Sequence, residues 1–488
     1  MAALVLLLQV MPPSAVYAET VFGRPRGRAS RAHQHDTLRR PDGTRSSTTD
    51  DTLRLTLEAA RLRALRVNPD LRAARLLIAI ARGGVRQASV PLRSNPSLDV
   101  LTGGIGTELG LTQEIEIAGQ RGARHSAALA GVERATASVL NVVRLTIGEV
   151  DRTFYRYAVA TQRVQLTTEV LALNRRLLDV AARQLAVGRI SPLEYNLAIV
   201  ESGRSEARAL RAERERDQTA QQLRRLLGLA PDRAVVSLIA LAAAPAAVPP
   251  TDSARAPVLH VPRDSETSIT RARAIDSLNV DSLTVVALRR RPDLRERAAA
   301  AAQSRGLATV ARREAFPNLA FRVASERLEN TGHRALRPGV GLTVPVFNRN
   351  QGEVEARQAE ADQAELERAA IVVGVRASVA AAVAAYATAT AEVTVFETTV
   401  LAPARENRRL LEVAFREGKV GIPVLLLIRN QVIDAELEYG QAWLAAREAL
   451  AGLVEATGEV VAPALTSAAL SSTREGEEAT KRLAPAGR

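Results

Sequence analysis

Residues 122–192 read GARHSAALAGVERATASVLNVVRLTIGEVDRTFYRYAVATQRVQLTTEVLALNRRLLDVAARQLAVGRISP. No proline occurs between Pro96 and Pro192, so nothing over that span removes a helical N–H or forces a kink. Apolar residues recur at spacings of three and four through Val139, Val143, Ile147, Val150, Phe154 and Tyr157. Further on, Val164, Leu171, Leu178 and Leu185 keep a strict seven, and Val170, Leu173, Leu177 and Val180 form a second seam. Two seams on one helix mean neighbours on two sides, as in a coiled-coil wall. The spacing predicts one helix from about Gly122 to Ala186, on the order of 100 Å long at 1.5 Å per residue. No ordinary globular core needs a helix of that length. Its end is marked by the turn Gly188-Arg189-Ile190-Ser191, in which glycine can take a positive φ without strain and Ser191 before Pro192 suits an N-cap with proline in the first helical position.

The chain repeats this plan. Asn68-Pro69-Asp70-Leu71-Arg72 matches Arg291-Pro292-Asp293-Leu294-Arg295, and Asn95-Pro96-Ser97-Leu98 matches Phe316-Pro317-Asn318-Leu319. Gly110-Leu111-Thr112 matches Gly341-Leu342-Thr343, and the Gly188 turn matches Glu417-Gly418-Lys419-Val420-Gly421. Four matches in the same order indicate an internal duplication. The expected organisation is a first repeat over 53–229, a Pro/Ala-rich connection over 230–280 with a short strand at Val235–Ile239, and a second repeat over 281–460. In each half a helix beginning near Leu55 or Asp281 leads to a β pair, then to a long helix, a Gly turn and a helix running back. The second long helix, about Gly352 to Arg416, carries Pro403 and is expected to kink there.

The β segments alternate. Leu109, Leu111, Gln113, Ile115 and Ile117 share one parity in the first half; Leu319, Phe321 and Val323, then Val340, Leu342, Val344 and Val346, do so in the second. Such strands have one apolar and one polar face. Pairs of roughly ten residues suit a transmembrane barrel, and the competing reading is a soluble hairpin packed on helices. Four strands cannot close a barrel, but several protomers together can.

Ala2–Val10 is an almost unbroken apolar run, followed by Pro12-Pro13-Ser14 and by Val16-Tyr17-Ala18 before Glu19. This is the form of a secretory signal over 1–18 with cleavage after Ala18. Residues 19–52 read as a flexible leader and 461–488 as a disordered tail. The 488 residues include no cysteine and five scattered histidines, which argues against a disulfide framework, a cysteine or zinc metal site and histidine-based catalysis. Lysine plus arginine is 66 against 53 acidic residues, a net charge of +13. The charges alternate in sign, as in Glu213-Arg214-Glu215-Arg216, and no aromatics interleave them, so solvated helix faces are expected and nucleic acid is not.

Signal, duplication, β pairs and very long helices together resemble the TolC family of outer-membrane efflux proteins over nearly all of Leu55 to Gly458. The segment from Gly418 through Pro423 to Asn430-Gln431, with Asp434-Ala435-Glu436-Leu437-Glu438-Tyr439 after it, resembles the heavy-metal-efflux branch of that family. The resemblance implies a mainly helical fold with a small β part. A duplicated coiled-coil tube would stand in the periplasm, with four strands per protomer contributing to a homotrimeric barrel in outer-membrane lipid. Barrel positions are Leu109, Leu111, Ile115, Leu319, Phe321, Val340, Leu342 and Val344. It implies a passive conduit without reaction or cofactor, joined to an inner-membrane efflux pump by a periplasmic adaptor that meets the tip turns Gly188-Arg189-Ile190-Ser191 and Gly418-Lys419-Val420-Gly421. Metal cations are the branch-level cargo the resemblance implies, with drugs or small organics as the alternative. Two departures stand out: the lipidated N-terminal cysteine of many members is not available, and Val424 and Leu427 occupy positions where some members carry entrance aspartates. An apolar entrance constriction at Val424 and Leu427 is expected instead. The alternative from another class is a soluble exported coiled-coil scaffold binding partner proteins; an exported enzyme would have only scattered carboxylates to work with.

Overall fold

The computed structural model describes residues 53–103, 106–229, 236–238, 279–328 and 334–458. The expected signal sequence, leader and tail, and most of the connection, lie outside them. The short strand expected in the connection is present as Val236–Leu238, and it pairs in parallel with β1, Leu53–Leu55.

Each repeat opens with two helices rather than one. Helices α1 (Leu57–Val67) and α2 (Pro69–Ser89) meet at Asn68-Pro69, and α5 (Val280–Arg290) and α6 (Pro292–Glu314) meet at Arg291-Pro292. Proline in the first helical position has no N–H to lose but cannot continue the preceding helix. The repeated Pro-Asp-Leu-Arg segment is thus a helix start. Asn68 caps α2 by accepting from the Leu71 N–H at 3.0 Å and donates to the Leu226 carbonyl at 3.3 Å.

The long helix α3 runs Gln120–Ala186 without interruption and turns at Gly188 into α4, Pro192–Leu226. Its second-repeat counterpart is α7 (Gln351–Val395), a π-helical turn at Phe396–Val400, and α8 (Leu401–Arg416), followed by α9, Ile422–Thr457. Where a kink was expected at Pro403, the structure has this π turn: a widened turn just ahead of the proline accommodates its missing N–H and its ring. The core follows the seams. Val139, Val143 and Ile147 pack with Leu65, Leu71 and Ile78; Val150, Phe154 and Tyr157 pack with Ala60, Leu223 and Leu227. The helical run Gln351–Arg416 is long and apolar enough to cross a bilayer by length and composition, with a window of mean hydropathy 1.8 that is mostly exposed. Alanine, interrupted by Arg376, makes it so, and Leu366 and Val373 are left open on its surface. A face of small residues left uncovered by its own chain suits close packing against another helix.

Strands β2 (Ser97–Gly103), β3 (Gly106–Ile115), β5 (Leu319–Leu328) and β6 (Arg334–Leu342) form one antiparallel sheet in the order β2-β3-β5-β6, with β1 and the connection strand β4 (Val236–Leu238) apart from it. The β pairs of the two repeats therefore join at β3–β5, with Leu109 opposite Ser325 and Ile115 opposite Leu319. Val344 and Val346 correct the sequence expectation, because β6 ends at Leu342 opposite Leu319. Beyond Leu319 the partner chain is Pro317-Asn318, and Pro345 on the other side has no N–H to give a ladder.

Candidate functional site: the sheet faces and the tube tip

Directly opposed residues on antiparallel strands share a face, so the register sorts the sheet. One face carries Leu98, Val100, Leu109, Leu111, Phe321, Val323, Leu336, Val340 and Leu342, all of them exposed in the protomer. Ile115 and Leu319 share this parity at the helix end of the strands. An apolar patch of this extent has no place in water, which removes the soluble hairpin and the soluble scaffold. The other face carries Asp99, Glu108, Thr112, Glu114, Arg322, Glu326 and Arg337. Its arginines are matched: Arg322 reaches Glu108 at 2.9 Å and Arg337 reaches Glu326 at 3.0 Å. Asp99 and Glu114 are exposed and take no ion-pair partner among the described residues. Strands β2 and β6 have free edges among the described residues, and backbone edges are not tolerated inside a bilayer.

At the opposite end of the long helices the two Gly turns share one construction. Gly188 has φ +69° and Gly418 φ +71°. Arg189 N–H donates to the Gln184 carbonyl and Gly188 N–H to Leu185, both at 2.9 Å; Lys419 donates to Ala414 at 2.9 Å and Gly418 to Phe415 at 3.0 Å. Both are Schellman closures, which satisfy the last carbonyls of a helix. Ser191 accepts from the Glu194 N–H at 3.3 Å while Glu194 accepts from the Ser191 N–H at 2.9 Å, a complete capping box. Gly421 opens α9 with no side-chain cap. Ile190 and Val420 pack against one cluster, Leu177, Ala198, Leu411, Ile422, Leu425 and Leu426, so the structure brings the two turns together at one end. Gly188, Arg189, Ser191, Gly418, Lys419 and Gly421 are exposed, and Lys419 pairs with Glu417 at 2.5 Å.

The segment Val424–Ile428 divides. Leu425 and Leu426 are buried in the tip cluster, while Val424 is 46% and Leu427 61% exposed. Just above it lies a polar link that the sequence reading missed. Arg429 on α9 donates to Asn174 Oδ1 on α3 at 3.2 Å; Asn174 donates to Ser205 on α4, whose hydroxyl donates to the Glu201 carbonyl at 2.7 Å. Burial lowers the Arg429 pKa to about 10, against the raising pull of Glu412 and Glu201. The detectable signal was Asn174, a polar residue among the apolar positions of α3.

A second buried polar cluster joins the repeats. Asp293 is bound by Arg291 and lies 3.6 Å from Arg144, which donates to the Glu455 carbonyl at 2.8 Å. Burial works against the Asp293 charge, but the hydrogen-bonded Arg291 guanidinium, with Arg144 behind it, outweighs burial and holds the carboxyl below its ordinary value. Among the described residues no group of three or more His, Cys, Asp or Glu is placed to hold a metal ion.

A half-polar, half-apolar sheet with free edges, carried on a coiled-coil wall closed by two adjoining turns, is the protomer of an oligomeric membrane channel. The profile of the family described as Outer membrane efflux protein matches residues 61–229 and 283–459, and the chain belongs to that family. It is 27% identical over 401 residues to the cobalt-zinc-cadmium resistance protein CzcC of Cupriavidus metallidurans, covering 80% of this chain and 88% of that protein. The fold matches the outer-membrane channel OprN (TM-score 0.63, 18% identity, 82% of this chain and 89% of that one). It also matches CusC (0.62, 16%, 86% and 95%) and the Campylobacter jejuni channel CmeC (0.63, 14%, 82% and 85%). The protein is therefore a non-enzymatic outer-membrane efflux channel. Its fold is that of an outer-membrane β-barrel carried on a helical periplasmic tube. The family fold implies a trimer, whose three sheets make a barrel of about twelve strands, an even number as bacterial barrels have.

Proposed function

We propose that the chain is the conduit through which metal cations leave, delivered by an inner-membrane pump through a periplasmic adaptor that docks on the two Gly turns. The observation that carries the cation reading is the charge of the pore face. On a chain of net charge +13, the barrel strands turn inward four carboxylates, Asp99, Glu108, Glu114 and Glu326, against Arg322 and Arg337. Pairing leaves Asp99 and Glu114 over in each protomer. Fixed charge of one sign along a pore enriches the opposite ion without binding it, which suits a passage rather than a store. Similarity to a cobalt-zinc-cadmium resistance protein supports the same cargo. Val424 and Leu427 are read as an apolar ring narrowing the entrance.

The test is a reversal potential in a planar bilayer under a potassium chloride gradient. The wild type is expected to prefer cations, and Asp99→Asn with Glu114→Gln to lose most of that preference while trimer assembly persists. An anion-preferring or unselective wild type overturns the cation reading.

A further inference from the structure

A cavity of about 380 Å³ lies between α3, α8 and α9 within one protomer. Its wall is chiefly apolar, with Val170 and Leu173 from α3, Phe415 from α8 and Ile433 from α9. It is partly open to the protomer's surface, so a solute can enter it from outside the wall. Into it falls one anomalous group. Glu436 is 2% exposed and pairs with Arg408 Nη1 at 3.7 Å, yet its Oε1 accepts no hydrogen bond. A buried acceptor left unmade costs free energy.

We propose that this cavity is a binding site for a small neutral amphiphile with an aromatic or branched apolar body and one hydrogen-bond donor, which Glu436 Oε1 accepts. The chemistry follows from the wall. Its charged members balance, Glu169, Glu412 and Glu436 against Arg408, Arg416 and Arg429, so neither an anion nor a cation gains from entering. Burial raises the Glu436 carboxyl above its ordinary value, against the lowering pull of Arg408 and Arg405. A volume of this order matches the lower range of small-molecule pockets, apolar with a few placed polar groups. Leu177, Leu411 and Leu425 belong both to this wall and to the tip cluster. An occupant thus braces α3 against α9 directly above the tube entrance. The site stands on this geometry alone and does not depend on which solute the channel exports.

The test uses the full-length trimer in lipid nanodiscs, titrated with 6-fluoro-2-naphthol and followed by fluorine NMR, with empty nanodiscs as the partition control. The expected result is saturable binding of one molecule per protomer and a rise in melting temperature by mass action. Glu436→Leu should weaken binding about five-fold or more by removing the acceptor, Glu436→Gln should retain it by keeping one, and Leu173→Trp should abolish it by filling the space. Uptake that rises linearly as in empty nanodiscs overturns the proposal. So does saturable binding that is unchanged in both Glu436→Leu and Leu173→Trp.

Discussion

The two aspartates of the repeated Pro-Asp-Leu-Arg segment occupy the same helix position and live in different worlds. Asp70 is an exposed first-turn residue, 3.5 Å from a surface Arg225, a pair of the kind that contributes little. Asp293 is 9% exposed and binds Arg291, with Arg144 close by. Removing its carboxylate takes the charge partner from Arg291, which keeps only Ser378 and the Ala456 carbonyl, and leaves Arg144 with Glu455, so Asp293→Ala is expected to destabilise the protomer by about 3 kcal/mol, and Asp70→Ala by less than about 1 kcal/mol. Trp443, the one tryptophan of the chain and 6% exposed, reports unfolding by denaturant. The effect has a direction in pH. The folded-state pKa of Asp293 is depressed, so its contribution is complete above the ordinary carboxylate range near 4 and is lost as pH falls through the folded value. The stability gap between wild type and Asp293→Ala should be full at pH 7 and narrow on acidification below about pH 4. A gap that stays constant to pH 2 contradicts this account.

At the scale of elements, the long helices were legible because a seam repeated over many turns is a strong signal, and α3 runs Gln120–Ala186 against an expectation of about Gly122 to Ala186. The strands were legible by parity but not by extent. Val344 continues the alternation, yet its partner strand begins only at Leu319, a fact of pairing that a lone strand cannot express. The helix division at Pro69 and Pro292 was missed although the prolines were noted, since a repeat match says that two segments are alike and not what they do. The closure of both Gly turns was legible, because a positive-φ glycine acts locally, and the Ser-Pro cap marked the start of α4. The buried Arg429–Asn174–Ser205 link was not, because it joins three helices far apart in sequence. The apolar stretch after the second turn shows the same limit. Helical spacing left open which of Val424–Ile428 face a neighbour, and packing buries Leu425 and Leu426 while leaving Leu427 out. If Leu427 rings the entrance, it resists wetting there. Leu427→Asp is then expected to raise single-channel conductance in a planar bilayer with the tip cluster intact; unchanged conductance removes Leu427 from the constriction.

At the scale of the whole molecule, the two ends of the tube impose different demands. The barrel end must close, and free edges on β2 and β6 leave that to other copies, so every structural role there is shared between protomers. The tip end closes within each protomer, through the cluster that seats Ile190 and Val420 together. In the proposed docking, three copies would present six Gly turns in a ring, each with exposed backbone and one basic side chain, Arg189 or Lys419, for an adaptor to hold. A Cβ added at Gly188 or Gly418 meets no other atom within 4 Å, so substitution there strains only the backbone. Gly188→Gln with Gly418→Gln should cost about 1 kcal/mol per site through the positive φ, a small loss spread over a trimer. The double variant is therefore expected to keep its trimeric mass in detergent and its bilayer conductance, while bulk at the ring prevents an adaptor from seating. Adaptor crosslinking and cellular metal export should fail together. Loss of the trimer would mean the turns act in folding, and export that persists with both glycines replaced would place the adaptor elsewhere on the tube.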